Sequence, residues 1–349
     1  MGAKLAASAL ALAPLLAAAQ PSEPRLAVFE YFSRFTGANC LAAGPVVDRL
    51  AAEMADRPVV FLEMNYDGQV GNRVSRWWFA YPGGTPFLPL VMVGSGREIA
   101  DGLLDFERVF RGMVEREMAL PPQAALRAWW VRQGNRMRIY ARLTNRLAVP
   151  LSSAQQASVH ALVWEDKHVG TTDRIIRDAP YADLTPALAP GATRDLAPLL
   201  TRELSGVNWD KLHAAVLVEW QPPGQTAFDQ LQAAIAGPAG VAASPAALDF
   251  QINPLNPPTA RASLTLDGPA GTSWTASASA LWVRVIPGSG ALPATVQVEI
   301  IPALLPSGPQ QAAITVNAAS SDGWNATTTI AVNAQLTTPF RPARRVVRR

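Results

Sequence analysis

Leu26-Ala27-Val28-Phe29-Glu30-Tyr31-Phe32, then Ser33-Arg34-Phe35-Thr36-Gly37-Ala38-Asn39-Cys40, then Leu41-Ala42-Ala43-Gly44-Pro45-Val46-Val47-Asp48-Arg49-Leu50-Ala51-Ala52-Glu53 run in the order short apolar strand, turn bearing a thiol, amphipathic helix. Cys40 is the only cysteine among 349 residues. A chain with one cysteine holds no internal disulfide, and dithiol exchange needs a second sulfur to release a mixed disulfide.

Working outward, the same alternation continues to about residue 118. Pro58 to Met64 reads as a largely apolar strand of the kind buried on both faces of a sheet, and Trp77-Trp78-Phe79 falls in a helix or at its end. Leu90-Val91-Met92-Val93 is a further strand, Gly94-Ser95-Gly96 a turn and Glu98-Ile99-Ala100 a return strand. Asp105 to Met118 places Phe106, Val109, Phe110, Met113 and Val114 at helical spacing.

Pro121-Pro122 marks a boundary, beyond which the period falls to two. Met137, Ile139, Ala141 and Leu143 share one face of a strand, while Arg138, Tyr140, Arg142 and Thr144 share the other. Val159–Trp164, Arg194–Leu200 and Ala214–Trp220 add strands, which predicts an antiparallel sandwich over 123–236 ending in a helix from Phe228 to Ile235. Gly237-Pro238-Ala239-Gly240 reads as a linker. Residues 241–337, nearly free of charge and rich in Ala, Ser, Thr and Pro, carry alternating strands at Ala294–Ile300, Gln311–Val316 and Thr327–Leu336. Trp274 and Trp282 are the expected anchors of that core.

Composition sets the class. Apolar residues are 49% and charged residues 16%, a globular balance, and the length calls for more than one core. Lys4, the apolar run Leu5–Leu16 and Ala17-Ala18-Ala19 predict a cleaved export signal over 1–19, too short to span a bilayer. The expected location is therefore exported: periplasmic, cell-envelope associated or secreted. Net charge is +3, but once Lys4 and Arg341, Arg344, Arg345, Arg348 and Arg349 are set aside, 24 basic residues face 27 acidic ones. Basicity thus belongs to the tail 338–349, which suits an anionic surface or simple solvation. A balanced, exported body argues against nucleic acid as a partner.

Catalytic templates are largely missing. His160, His168 and His213 are the only histidines, none at zinc-protease spacing, and no phosphate loop or nucleophile elbow occurs. A site of His160, His168 and Glu165 is outweighed by ordinary structural histidines. No metal and no cofactor is expected, and no catalytic residue beyond Cys40 as a candidate thiol. Trp77, Trp78 and Tyr81, beside Gly83-Gly84, form the densest aromatic cluster and are candidate binding residues, core packing being the competing use.

The strand, thiol turn and helix of residues 25–120 resemble the thioredoxin-like superfamily with half of its redox pair lost, and the arrangement is similar to an outer-membrane-associated thioredoxin-like family in which an immunoglobulin-like module follows. The resemblance implies a cis-proline at Pro89. It leaves two registers open, with Gly37 or Ala43 at the lost partner position; the five-residue step from Cys40 to Pro45 favours Gly37. Ser244-Pro245-Ala246-Ala247-Leu248-Asp249-Phe250 with the two tryptophans resembles a BACON-type immunoglobulin-like module, associated with carbohydrate contact. The expected fold class is thus multidomain: an α/β thioredoxin-like domain followed by two all-β immunoglobulin-like sandwiches. The expected function is a non-catalytic binding or scaffold protein at the cell envelope, with a protein or carbohydrate ligand. The alternative is a monothiol redox protein using Cys40 with an external resolving thiol.

Overall fold

The computed structural model describes residues 23–34, 36–65, 71–80, 87–102, 105–169, 172–253, 260–321 and 323–336. The export segment 1–19, Tyr81, Gly83-Gly84 and the tail 338–349 lie outside them.

The first segment holds β1 (Ala27–Ser33), α1 (Ala38–Glu53), β2 (Val59–Asn65), α2 (Gly71–Ala80), β3 (Leu90–Val93), β4 (Glu98–Asp101) and α3 (Phe106–Met118). β1 pairs parallel with β2 and antiparallel with β3. The second holds β5 (Ala124–Gln133), β6 (Arg136–Asn145), β7 (Ser158–Val169), β8 (Thr172–Asp178), β9 (Tyr181–Asp183), β10 (Thr193–Asp195), β11 (Leu199–Leu200), β12 (Leu212–Trp220) and β13 (Asp229–Pro238). The third holds β14 (Ala242–Ser244), β15 (Ala247–Ile252), β16 (Ala260–Asp267), β17 (Ser273–Ala278), β18 (Val283–Ile286), β19 (Ser289–Ala291), β20 (Ala294–Ile300), β21 (Pro309–Ala319) and β22 (Asn325–Leu336).

This corrects the expected fold class. The described residues are predominantly β, with three α-helices against twenty-two strands, and no α/β thioredoxin-like domain stands as a unit ahead of the sandwiches. β2 meets β8 in parallel at Glu63–Ile175, so the strands of the first segment continue into those of the second as one 13-stranded sheet. A mainly parallel α/β sheet is covered by helices on both faces. Here α1 and α3 cover one face, where Phe29, Tyr31, Phe61 and Val91 meet Val47, Leu50, Phe110 and Val114. The other face, bearing Val28, Phe32, Leu62, Met64 and Met92, packs on strand residues Leu162, Trp164, Ala215, Leu217 and Ala233.

That double use explains the apolar run of β12. Ala214, Val216 and Val218 of β12 enter the core of the second segment, while Ala215 and Leu217 enter the seam with the first. Both faces of β12 are dry, so its sequence shows no alternation.

The helix expected from Phe228 to Ile235 is also corrected: the segment is β13. It pairs along β12 from Asp229–Trp220 to Ala236–Ala214 and reaches β5 at Gly237–Trp129. Its Ala-rich run has no decisive period, so the neighbouring strands determine its conformation.

The third segment is an immunoglobulin-like β-sandwich. Sheets β14-β16-β20-β18 and β15-β22-β21-β17-β19 enclose Trp274, Leu264, Val298, Ile314, Val316 and Ile330. Arg142 of β6 joins it to the second segment, donating to Gly268 O at 3.1 Å and to the Asp267 carboxylate, which Arg127 also holds.

Candidate functional site

Cys40 sits in the first turn of α1, delivered by β1 and the turn after it. The thiol is 1% exposed. Its Sγ accepts the Arg34 backbone N–H at 3.4 Å, and Tyr31 Oη donates to the Cys40 carbonyl at 3.0 Å. Burial pushes the thiol pKa up, over the opposing pull of the backbone N–H groups. The raised pKa disfavours the reactive thiolate.

Gly37 is the N-cap of α1, with extended φ and ψ of −73° and 127°. A Cβ placed there would lie 3.3 Å from Cys40 Sγ. Gly37 therefore faces the thiol, while Ala43 is buried against the sheet with Val47 and Leu50. The Leu88–Pro89 peptide is cis. Trp77 and Trp78 lie on α2, and Tyr81 lies outside the described residues.

The three histidines are not brought together. His168 is exposed and paired with Asp173 at 2.7 Å, and His213 reaches Asp166 at 2.9 Å and stacks on Trp164. Glu165 is buried and holds Arg177 and the Asn208 N–H. Among the described residues no group of His, Cys, Asp and Glu is arranged for a metal ion.

His160 belongs to a buried ionic knot that sequence reasoning missed. Arg73 of α2 donates to Glu30 of β1 at 2.8 and 2.5 Å and to Glu219 of β12 at 2.8 Å, all three fully buried. Arg76, one helical turn on, reaches the other Glu219 oxygen, and its guanidinium lies 4.0 Å over the Phe228 ring. Burial raises the Glu219 carboxyl pKa, but the surrounding His160, Arg73 and Arg76 outweigh it and hold it well below the usual value.

Ser158, His160 and Glu219 bring together the residue types of a hydrolytic triad without its geometry. Ser158 Oγ and Glu219 Oε1 both meet the same ring nitrogen, Nε2, at 3.1 and 3.0 Å, whereas Nδ1 is buried with no partner. A triad needs serine and carboxylate on opposite nitrogens. Burial also pushes the His160 pKa down, and the ring is closed off from solvent beneath Tyr181.

A further buried acid marks the β2–β8 junction. Glu63 accepts Asp173 N–H at 3.1 Å and Arg174 at 3.3 Å through Oε1, while Oε2 is buried without a partner. Burial pushes its pKa up to about 7. Asp48 of α1 shares Arg174 at 2.9 Å. The signal for these acids was visible: Glu30, Glu63 and Glu219 each interrupt an otherwise apolar strand.

No family model matches this chain, and no curated protein matches it. Among solved structures, HBP35 of Porphyromonas gingivalis is 11% identical over 90% of this chain and 99% of its own, with a TM-score of 0.47. An Agrobacterium tumefaciens protein is 17% identical over 62% of this chain and 96% of its own, with a TM-score of 0.38. The PapD-like domain of human CEP192 is 16% identical over 28% and 86%, with a TM-score of 0.25. Scores this low transfer nothing to this chain. The resemblances to the thioredoxin-like and BACON-type families do not hold as assignments: the architecture is predominantly β, with a two-sheet β-sandwich as its third segment.

Proposed function

We propose that this chain is an exported, non-catalytic binding or scaffold protein of the cell envelope, whose β-sandwiches present surfaces to a protein or carbohydrate ligand. The observation that carries the reading is the state of Cys40: the sole thiol is 1% exposed and its pKa is raised by burial. A sulfur so placed is shielded from a partner disulfide and is poorly ionised. The Ser158–His160–Glu219 cluster, with both oxygens on one nitrogen, supports the same reading against hydrolysis. The export segment and basic tail suit delivery to an envelope with anionic surfaces. In a dithiothreitol-driven insulin reduction assay the purified chain leaves the precipitation rate unchanged. Acceleration that Cys40→Ser abolishes refutes the proposal and establishes the monothiol alternative.

A further inference from the structure

The second segment closes on one side only. β13 pairs with β5 there, so the strands wrap continuously from β6 through β5, β13 and β12 to β7. On the opposite side β9 pairs only with β7, while β10 and β11 pair only with β6, and β9 has no hydrogen-bonded strand partner in β10 or β11. The unclosed side holds a cavity of about 350 Å³. Its floor is Ile139, Val159, Val216 and Leu199, all buried members of the core. Its mouth carries Asp183, Thr185, Ala197 and Arg194, of which the first three are exposed.

Protein interiors are packed like organic crystals, with few voids larger than a water molecule. An apolar void of this size at the open side of a partly closed β-structure falls within the roughly 300–1,000 Å³ range of small-molecule sites, and the mouths of such structures are where ligands bind. Water is a poor occupant, since the floor offers it no hydrogen-bonding side chain.

The geometry points to a binding site for a single-chain lipid-like molecule, its acyl chain on the Ile139–Val159–Val216 floor and an uncharged, hydrogen-bonding head between Arg194 and Asp183. The head group follows from the mouth. Arg194 supplies donors, one of which already holds Pro186 O at 2.6 Å, and Asp183 supplies acceptors. Asp195, the other acid at the rim, is engaged by Arg142 at 2.8 Å. A free carboxylate would face Asp183 and an ammonium would face Arg194. A hydroxyl accepts from one and donates to the other. This site is independent of Cys40 and of the proposed function.

The test uses the full chain and N-phenyl-1-naphthylamine, a neutral apolar fluorophore. The expected result is saturable enhancement at one probe per chain, displaced by dodecanol at concentrations at least tenfold lower than dodecanoate or dodecylammonium require. Ala141, a buried lining residue beside Ile139, is replaced in Ala141→Leu to fill the floor, and Ala197→Trp blocks the mouth from an exposed position, so the second variant keeps the fold if the first does not. Each folded variant weakens probe binding at least tenfold. Absence of saturable binding, binding unchanged in a folded Ala197→Trp variant, or preferential displacement by either charged amphiphile overturns the proposal.

Discussion

Replacing Arg73 by methionine removes the one guanidinium that satisfies two fully buried carboxylates. Glu30 loses both of its hydrogen bonds at once, at 2.8 and 2.5 Å, and Arg73 is its sole ionic partner among the described residues. Glu219 loses the 2.8 Å bond but keeps Arg76 and His160. Breaking a buried pair from one side costs about 3–5 kcal/mol, because a charge is left without compensation. With only one carboxylate fully stranded, the lower end applies, about 3 kcal/mol, or on the order of a hundredfold in the folded-to-unfolded ratio. The knot joins β1 and α2 to β12, so the loss falls on the transition that melts the fused first and second segments. Urea unfolding followed by tryptophan fluorescence at neutral pH reads it directly. The companion variant, Glu30→Met with Arg73→Met, removes the stranded charge together with its partner and returns to within about 1–2 kcal/mol of the parent, since apolar replacement of a buried pair is often nearly neutral. A single variant within about 0.5 kcal/mol of the parent, or a double variant no better than the single, refutes the reasoning.

Two further outcomes follow from neighbouring residues. Glu63 titrates near 7 in the fold against 4.5 when exposed, so its ionised form is the disfavoured one. The resulting cost is absent below about pH 4.5, grows as pH rises towards 7 and is constant above that. Glu63→Gln therefore stabilises by up to about 3 kcal/mol at pH 8 and by nearly nothing at pH 4, read from urea midpoints; an equal effect at both pH values contradicts the assignment. Gly37→Cys places its Cβ 3.3 Å from Cys40 Sγ on a backbone any residue adopts, so mild oxidation consumes both thiols as an internal disulfide. Two free thiols per chain, titrated after oxidation and unfolding, is the opposing result.

Much of the strand order was legible, because alternation and proline boundaries are local signals. Ala294–Ile300 and Leu90–Val93 read from period and length are strands β20 and β3. What the sequence hid was which surface covers which. The apolar strands of the first segment have the same composition whether helices or strands lie on their second face, and here Trp164, Ala215 and Leu217 lie there. The misread helix at Phe228–Ile235 has the same origin, since an alanine-rich run takes its conformation from β12 and β5. The ionic knot was half visible. A lone Glu30 or Glu219 in an apolar strand announces a buried charge, but Arg73 lies 43 and 146 positions away from them, beyond any local pattern. The cavity at the open side was invisible, since it depends on β9, β10 and β11 failing to meet.

The only thiol in this chain is sealed in the first turn of α1, and its alkylation rate tests that burial most directly. Iodoacetamide should modify native Cys40 on the order of a hundredfold more slowly than the same residue in guanidinium-unfolded chain at pH 7.5, with a pH profile displaced upward from that of a free thiol. A native rate equal to or faster than the unfolded one, with ionisation below the ordinary thiol range, would contradict the account.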